Sequence, residues 1–138
     1  MARFSTCTLL FLLVLITACD RSLIDDGNLG IEGTWKGSVT SPTSQACDRI
    51  IIMDFDQDGQ SFTGTFVLLG DATGTFTGTI NDGVLAGDVT SQYDSCTGTG
   101  TFTGTITEDR IEMYSPTVTT LDEGCEFCQQ NTLVLTRQ

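Results

Sequence analysis

From residue 33 onward, apolar and polar side chains alternate with a period of two, which is the pattern of extended strands that turn one face inward. A five-residue unit recurs in which a large apolar residue, a glycine and a second apolar residue take alternate positions. The octapeptide TGTFTGTI occurs twice without change, at 73–80 and 99–106. Alternate positions share a face, so the apolar residues and glycines face one side and the threonines the other. The copies of the unit lie at 35–39, 62–66, 76–80, 85–89 and 102–106.

Turn signals separate these segments. The stretches 58–59, 81–83 and 108–109 are short and polar, of the kind that joins antiparallel strands. Eight antiparallel strands joined in sequence order are enough for a twisted sheet to close on itself. The sequence therefore predicts an all-β domain over 33–138, an eight-stranded antiparallel up-and-down (meander) β-barrel that needs no helix. The predicted strands are 33–40, 47–56, 61–69, 73–80, 84–91, 98–107, 110–119 and 131–137.

The two ends of the predicted barrel differ. If the first strand runs upward, the lower connections at 57–60, 81–83 and 108–109 are tight, and the upper ones are longer on the whole. Ligands usually enter a small barrel through its looped end, so the upper end is the expected mouth. The upper connections are 41–46, 70–72, 92–97 and 120–130, and Cys47, Cys96, Cys125 and Cys128 all fall at this end.

The N-terminal residues form an export signal. Arg3 precedes an unbroken apolar run at 9–16, which is too short to remain as a membrane-spanning helix. Residues 16–19, Ile-Thr-Ala-Cys, resemble a bacterial lipobox. The resemblance implies transfer of a diacylglyceryl group to the Cys19 thiol, cleavage before Cys19 and N-acylation. The alternative is an ordinary signal peptide followed by a stray cysteine.

The lipobox divides the chain into three parts. Residues 1–18 are the predicted lipoprotein signal peptide, 19–32 the lipidated N terminus and flexible tether, and 33–138 the barrel. Several acyl chains (palmitate and its like) on Cys19 give stable membrane anchoring. We therefore expect a bacterial cell-envelope protein that faces the periplasm or the cell exterior. Because the tether enters at the lower end, the looped end is expected to point away from the membrane.

Charge and composition narrow the function. The chain carries 18 acidic against 6 basic side chains, a net charge of −12, whereas a nucleic-acid partner needs a basic surface. It has no histidine, which removes the commonest general base and the commonest metal ligand. No nucleophile–base pair or phosphate-binding loop stands out. We expect a monomer that is not an enzyme and has no catalytic residues, no cofactor and no nucleic-acid partner.

The four cysteines of the barrel predict two disulfides, which staple the small core of an exported domain. Three pairings exist. The loop at 120–130 lies between strand seven, which neighbours Cys96, and strand eight, which neighbours the Cys47 loop, so we favour Cys96–Cys125 with Cys47–Cys128. The next alternative is Cys125–Cys128 with Cys47–Cys96. A four-cysteine zinc site is less favoured, because only one C-x-x-C is present.

Gly33-Thr34-Trp35 on the first strand resembles the G-x-W motif of lipocalin-like and avidin-like (calycin-type) barrels, and Arg137 lies on the last strand. In the lipocalin group, the resemblance implies that the arginine stacks on the tryptophan across the closed end. A cation–π contact between Trp35 and Arg137 is therefore expected at the barrel closure. The resemblance covers 33–138 as architecture and implies no particular ligand. The alternative is that Trp35 is a core residue of some other β-sandwich.

Residues 54–59 match the opening of a calcium loop, with carboxylates at Asp54, Asp56 and Asp58. The twelfth position of such a loop is Thr65, where a bidentate glutamate is needed. The favoured interpretation is a charged hairpin turn whose carboxylates face water, so no metal site is predicted.

Two classes of function remain. The first is a non-enzymatic binding module for a small hydrophobic ligand, with Phe62, Phe66, Phe76 and Phe102 lining the lumen. Inward glycines could leave that lumen hollow, or they could let the sheet coil tightly around a solid core, which we favour. The second is a protein-interaction or protease-inhibitor module for an envelope protein, which would use the cysteine-stapled loops. A purely structural surface lipoprotein is the third.

Overall fold

The structure, a computed structural model, describes residues 30–70 and 72–138. The predicted signal peptide, Cys19 and the tether as far as residue 29 lie outside the described residues. In the described ranges, no helix is long and apolar enough to cross a membrane. The helical structure there is one short 3-10 turn at Gln45–Cys47.

Nine β-strands build an eight-stranded barrel wall. The strands β1 to β6 pair antiparallel in sequence order, β6 pairs with β7, and β7 pairs with β9. The pairing of β9 with β1 closes the cylinder, so the predicted eight-stranded antiparallel meander barrel is confirmed. The strands are β1 (Gly33–Thr40), β2 (Arg49–Asp58), β3 (Ser61–Leu68), β4 (Ala72–Asn81), β5 (Val84–Tyr93), β6 (Cys96–Ile106), β7 (Arg110–Ser115), β8 (Val118–Thr120) and β9 (Asn131–Arg137).

The seventh strand, predicted as one piece over 110–119, is interrupted at 116–117. Pro116 has no N–H to donate to a β-ladder, and the chain resumes as β8 beside β6. On the other edge of β8, the Gln129 side chain takes the place of a strand. The Val118 N–H donates to Gln129 Oε1 and Gln129 Nε2 donates to the Val118 carbonyl, both at 2.8 Å. The single continuous strand is therefore a wrong prediction.

Burial follows the predicted alternation. In the two identical octapeptides, Phe76, Ile80, Phe102 and Ile106 are buried, while the threonines are exposed or half-buried. The hydroxyls therefore face outward, as expected from the period of two. The buried apolar side chains are Ile31, Trp35, Val39, Ile51, Met53, Phe55, Phe62, Phe66, Phe76, Ile80, Leu85, Phe102, Ile106, Ile111, Met113 and Leu135.

Phenylalanine rings fill the space over the inward glycines of neighbouring strands. Phe66 lies opposite Gly74, and Phe76 lies opposite Gly64, across the β3–β4 pair. A methyl group at either glycine would overlap the facing ring. The volume that these glycines leave is therefore occupied by the next strand, as in the solid-core interpretation.

The lower end of the barrel is closed around Trp35, which is fully buried. Its indole N–H donates to the Ile31 carbonyl at 2.8 Å, and the Arg137 guanidinium carbon lies 4.3 Å from the ring centroid. Arg137 also donates to the carbonyls of Glu32 and Gly30. The expected contact between Trp35 and Arg137 is thus present. Ile31 is also fully buried, so the core begins two residues before β1, within the segment predicted as tether.

Candidate functional site

An apolar cavity of about 270 Å³ lies inside the barrel below its looped upper end. Phe66, Phe76 and Phe102 line it, as the sequence predicts for a lumen. Phe62 does not, because its ring packs against Phe55 in the filled part of the core with centroids 5.6 Å apart. The barrel is therefore solid in one part and hollow in another, and the prediction of a wholly solid core is corrected.

Small side chains, rather than glycines, create the cavity. None of the glycines that the structure describes is among its lining residues. The inward positions near the upper ends of the strands carry Val39, Ala72, Val89, Ser91 and Ser115, all of which line the space. The phenylalanine rings that also line the cavity stand on β3, β4 and β6, where glycines of the facing strands receive them. Small inward residues at the upper ends of β1, β4, β5 and β7 are the sequence signal for the cavity that the prediction of a solid core did not take into account.

The segment 121–130, which we call the strap, crosses the upper end of the cavity and lines it with Glu126, Phe127 and Cys128. Disulfides join Cys125 to Cys96, at the start of β6, and Cys128 to Cys47, before β2. Both are the favoured pairs, so the alternative pairing and the four-cysteine zinc site are wrong. The Cα atoms of each pair are 5.9 Å apart, within the usual range for a disulfide. The strap is therefore tied to both sides of the barrel mouth.

Two polar side chains of the cavity wall, Ser115 and Asn131, are engaged within the protein. The Ser115 hydroxyl donates to the Thr101 carbonyl at 2.9 Å, and Asn131 Nδ2 donates to the Cys128 carbonyl at 2.7 Å. Among the described residues, no buried side-chain nitrogen or oxygen lacks a hydrogen-bond partner. The depth of the cavity therefore offers apolar contact, and a polar ligand group would have to remain near the mouth.

Charged and exposed groups mark that mouth. Arg49 and Glu126 line the cavity where it meets solvent, beside the exposed side chains of Ala46 and Tyr93. The Arg49 guanidinium donates to the Asp48 carbonyl at 2.9 Å. Among the described residues, the lining of the entrance thus includes one basic and one acidic side chain, while the interior is mainly apolar.

The candidate calcium carboxylates do not come together. Asp54, Asp56 and Asp58 lie at alternate positions of β2, exposed on the outer face of the barrel. Alternate residues of a strand are about 6.6 Å apart and point the same way, so their carboxylates cannot converge on one ion. The Thr34 hydroxyl of β1 donates to Asp54. Over the described ranges, no group of three or more His, Cys, Asp or Glu side chains is placed to hold a metal. The carboxylates face water, as the favoured interpretation expects, but they lie on the strand that leads into the hairpin turn at 59–60 rather than in the turn itself.

Comparison of the chain with protein-family models, with curated proteins and with solved structures finds no match in any of the three. The fold itself, a small closed eight-stranded antiparallel barrel, is consistent with a calycin-like fold.

Proposed function

We propose that this chain is an exported bacterial lipoprotein, anchored through acyl groups on Cys19, whose barrel is a non-enzymatic binding module for a small apolar molecule. The cavity of about 270 Å³ beneath the strap is the observation that carries this proposal. Its volume is near the lower limit of ordinary ligand pockets, and its wall is mainly hydrophobic, as such pockets are.

The size of the cavity limits the ligand. Dividing the 270 Å³ by the share of one water in the liquid, about 30 Å³, gives room for about nine non-hydrogen atoms. Each methylene that leaves water for such a wall contributes about 0.8 kcal/mol. A short alkyl chain or a single ring with a polar end at the mouth fits these limits.

One observation supports the envelope location and another the orientation of the barrel on the membrane. The Cys47–Cys128 and Cys96–Cys125 disulfides are typical of an oxidising compartment, to which the predicted signal peptide would deliver the chain. Gly30 lies at the lower end of the barrel, next to Arg137, while the cavity opens at the other end. A lipid on Cys19 would thus hold the mouth away from the membrane.

The stacked Trp35 and Arg137 support membership of the lipocalin-like group.

The alternative is a protein-interaction or protease-inhibitor module. Leu121, on the strap, is 67% exposed and Tyr93, at the mouth, is 43% exposed. Large apolar side chains that are exposed together are typical of a surface that binds another protein, and these two share the upper end of the barrel.

Native mass spectrometry of the acylated protein, purified from its own host, tests the proposal. We expect the wild type to retain a small molecule. Val89→Phe puts a ring into the cavity, whereas Thr90→Phe puts the same ring on the outer face of β5. Only the first variant should lose the molecule, with unchanged circular dichroism in both. A molecule retained equally by both variants would contradict the cavity as its site, and a retained protein would favour the alternative.

A further inference from the structure

The ring of Phe127 forms part of the roof of the cavity. It is half-buried, and it lies against β6 at Gly98, beside Val118 of β8. A Cβ atom at Gly98 would come within 2.9 Å of Phe127 Cε2 and within 2.7 Å of Val118 Cγ1. The ring therefore has a seat on the barrel wall that only a glycine at position 98 provides.

The backbone that carries this ring is tied at both sides of the mouth. Cys125, two residues before Phe127, is bonded to Cys96 on β6. Cys128, the next residue, is bonded to Cys47, which precedes β2 on the opposite side of the barrel mouth. A chain with covalent ties so close on either side of a residue cannot swing away from the opening as a lid does.

Hydrogen bonds hold the rest of the strap. On one side of Phe127, the Thr97 N–H donates to Asp122 Oδ2 at 2.6 Å, and the Leu121 N–H donates to the Thr97 carbonyl at 2.9 Å. On the other side, the Ser41 hydroxyl donates to the Gln129 carbonyl at 2.6 Å. The Gln129 side chain, already paired with β8, also donates to the Phe127 carbonyl at 3.0 Å. The height of the roof is therefore set by the size of the side chain at position 127.

We propose that Phe127 is the specificity-determining residue of the cavity: its ring, on a backbone that cannot retreat, sets the length of the apolar molecule that the site accepts. This inference rests on the proposed function. Below, the phenylalanine core is solid, so a longer molecule gains no space in that direction. The site then gains no affinity from the part of a molecule that exceeds the cavity, so it does not favour long acyl chains over short alkyl chains or single rings.

A homologous series of 1-alkanols from butanol to dodecanol tests the inference by isothermal titration calorimetry. The full chain is produced with its leader; if acylated, it is held in lipid nanodiscs, and empty nanodiscs of the same lipid supply the blank for partitioning. In the wild type, affinity should rise about fourfold per added carbon, as expected for a methylene that leaves water. The rise should stop at about eight carbons, where the cavity is full.

Variants at position 127 should move that stopping point in opposite directions. Phe127→Ala should extend the rise by about four carbons, because the removed ring becomes ligand space, and Phe127→Trp should shorten it by about two. Phe127→Leu gives a smaller extension and keeps the test independent of whether the alanine variant folds. Leu121→Ala is the control, since Leu121 belongs to the strap but not to the cavity lining.

The possible results separate the two proposals. Shifts of opposite sign at position 127, with none in the control, support the inference. A wild-type rise that stops at the same carbon number in every variant overturns the role of Phe127 and leaves the binding function standing. No binding of any alkanol to the wild type overturns the proposed function and this inference with it.

Discussion

At the scale of single residues, the closed end of the barrel depends on Trp35. The indole contributes a large apolar surface, a hydrogen bond to the Ile31 carbonyl and a face for the Arg137 guanidinium. The position of Trp35 on the inward face was predictable from the period of two. The role of Ile31 was missed because residues up to 32 were assigned to the tether, although Ile31 is in phase with the buried Trp35 and Val39.

Trp35→Ala should lower the free energy of unfolding by about 3–5 kcal/mol, as the loss of a large buried aromatic side chain does. Trp35→Phe keeps an aromatic ring and loses the hydrogen bond to Ile31, so it should cost clearly less than the alanine variant. Equilibrium urea melts followed by circular dichroism measure both. A change below about 1 kcal/mol for the alanine variant would show that Trp35 does not plug the barrel.

The inward glycines show what the pattern along a single strand does not predict, namely whether the space beside them is filled. The sequence places Gly64, Gly74 and their partners on the inner face, but it leaves open whether the space beside them is empty. Register decides this at four of them, because Gly64, Gly74, Gly78 and Gly87 each lie opposite a phenylalanine of a neighbouring strand and receive its ring. Register depends on turn length, and the two-residue turn at Asp82-Gly83, with φ values of 48° and 75°, is one that the Asn-Asp-Gly signal predicted.

At the scale of elements, the strands were predictable and the strap was not. Alternation located every wall segment, since each half-buried strand carries its own signal. The strap has no period, and its position follows from two disulfides and from the Gln129 side chain, which pairs with β8 as a strand would. Such a contact depends on one side chain meeting a strand that Pro116 has already interrupted. No local sequence pattern predicts the contact between the Gln129 side chain and β8.

The two disulfides should contribute unequally to stability. The Cys47–Cys128 bond spans 81 residues and the Cys96–Cys125 bond spans 29. In the chain-entropy model, removal should cost about 4.5 kcal/mol for the longer loop and about 3.6 kcal/mol for the shorter one. Paired Cys→Ala variants, one for each bond, should show this order in urea melts. Equal costs, or a larger cost for the shorter loop, would mean that native contacts of the strap outweigh loop entropy.

At the scale of the whole molecule, barrel closure follows from strand number, while the hollow part does not. Eight strands enclose an interior that is just narrow enough for side chains to fill it. Whether they do depends on the sum of their volumes at each level, and at the upper level Val39, Ala72 and Val89 are too small to meet across the axis. This shortage of side-chain volume depends on several strands together. The pattern along any single strand therefore does not reveal whether the lumen is filled.

The net charge of −12 also acts on the molecule as a whole. Acidic side chains outnumber basic ones by 18 to 6, and on β2 alone Asp54, Asp56 and Asp58 share one exposed face. Like charges in a compact state repel one another, and their repulsion is screened by salt. Raising NaCl from 10 mM to 500 mM should therefore increase the free energy of unfolding by about 1 kcal/mol.

Urea is the appropriate denaturant for this measurement, because it is uncharged and does not itself screen. Asp56→Asn removes the central carboxylate of the β2 row, so it should stabilise the protein at 10 mM NaCl and reduce the gain from added salt.

Calcium chloride at equal ionic strength should stabilise no more than sodium chloride does, because these carboxylates point outward in parallel and cannot share an ion. A calcium-specific gain that Asp56→Asn abolishes would contradict this geometry. A salt effect of the opposite sign would show that attractive charge pairs, such as Arg110 with Glu112, outweigh the repulsion.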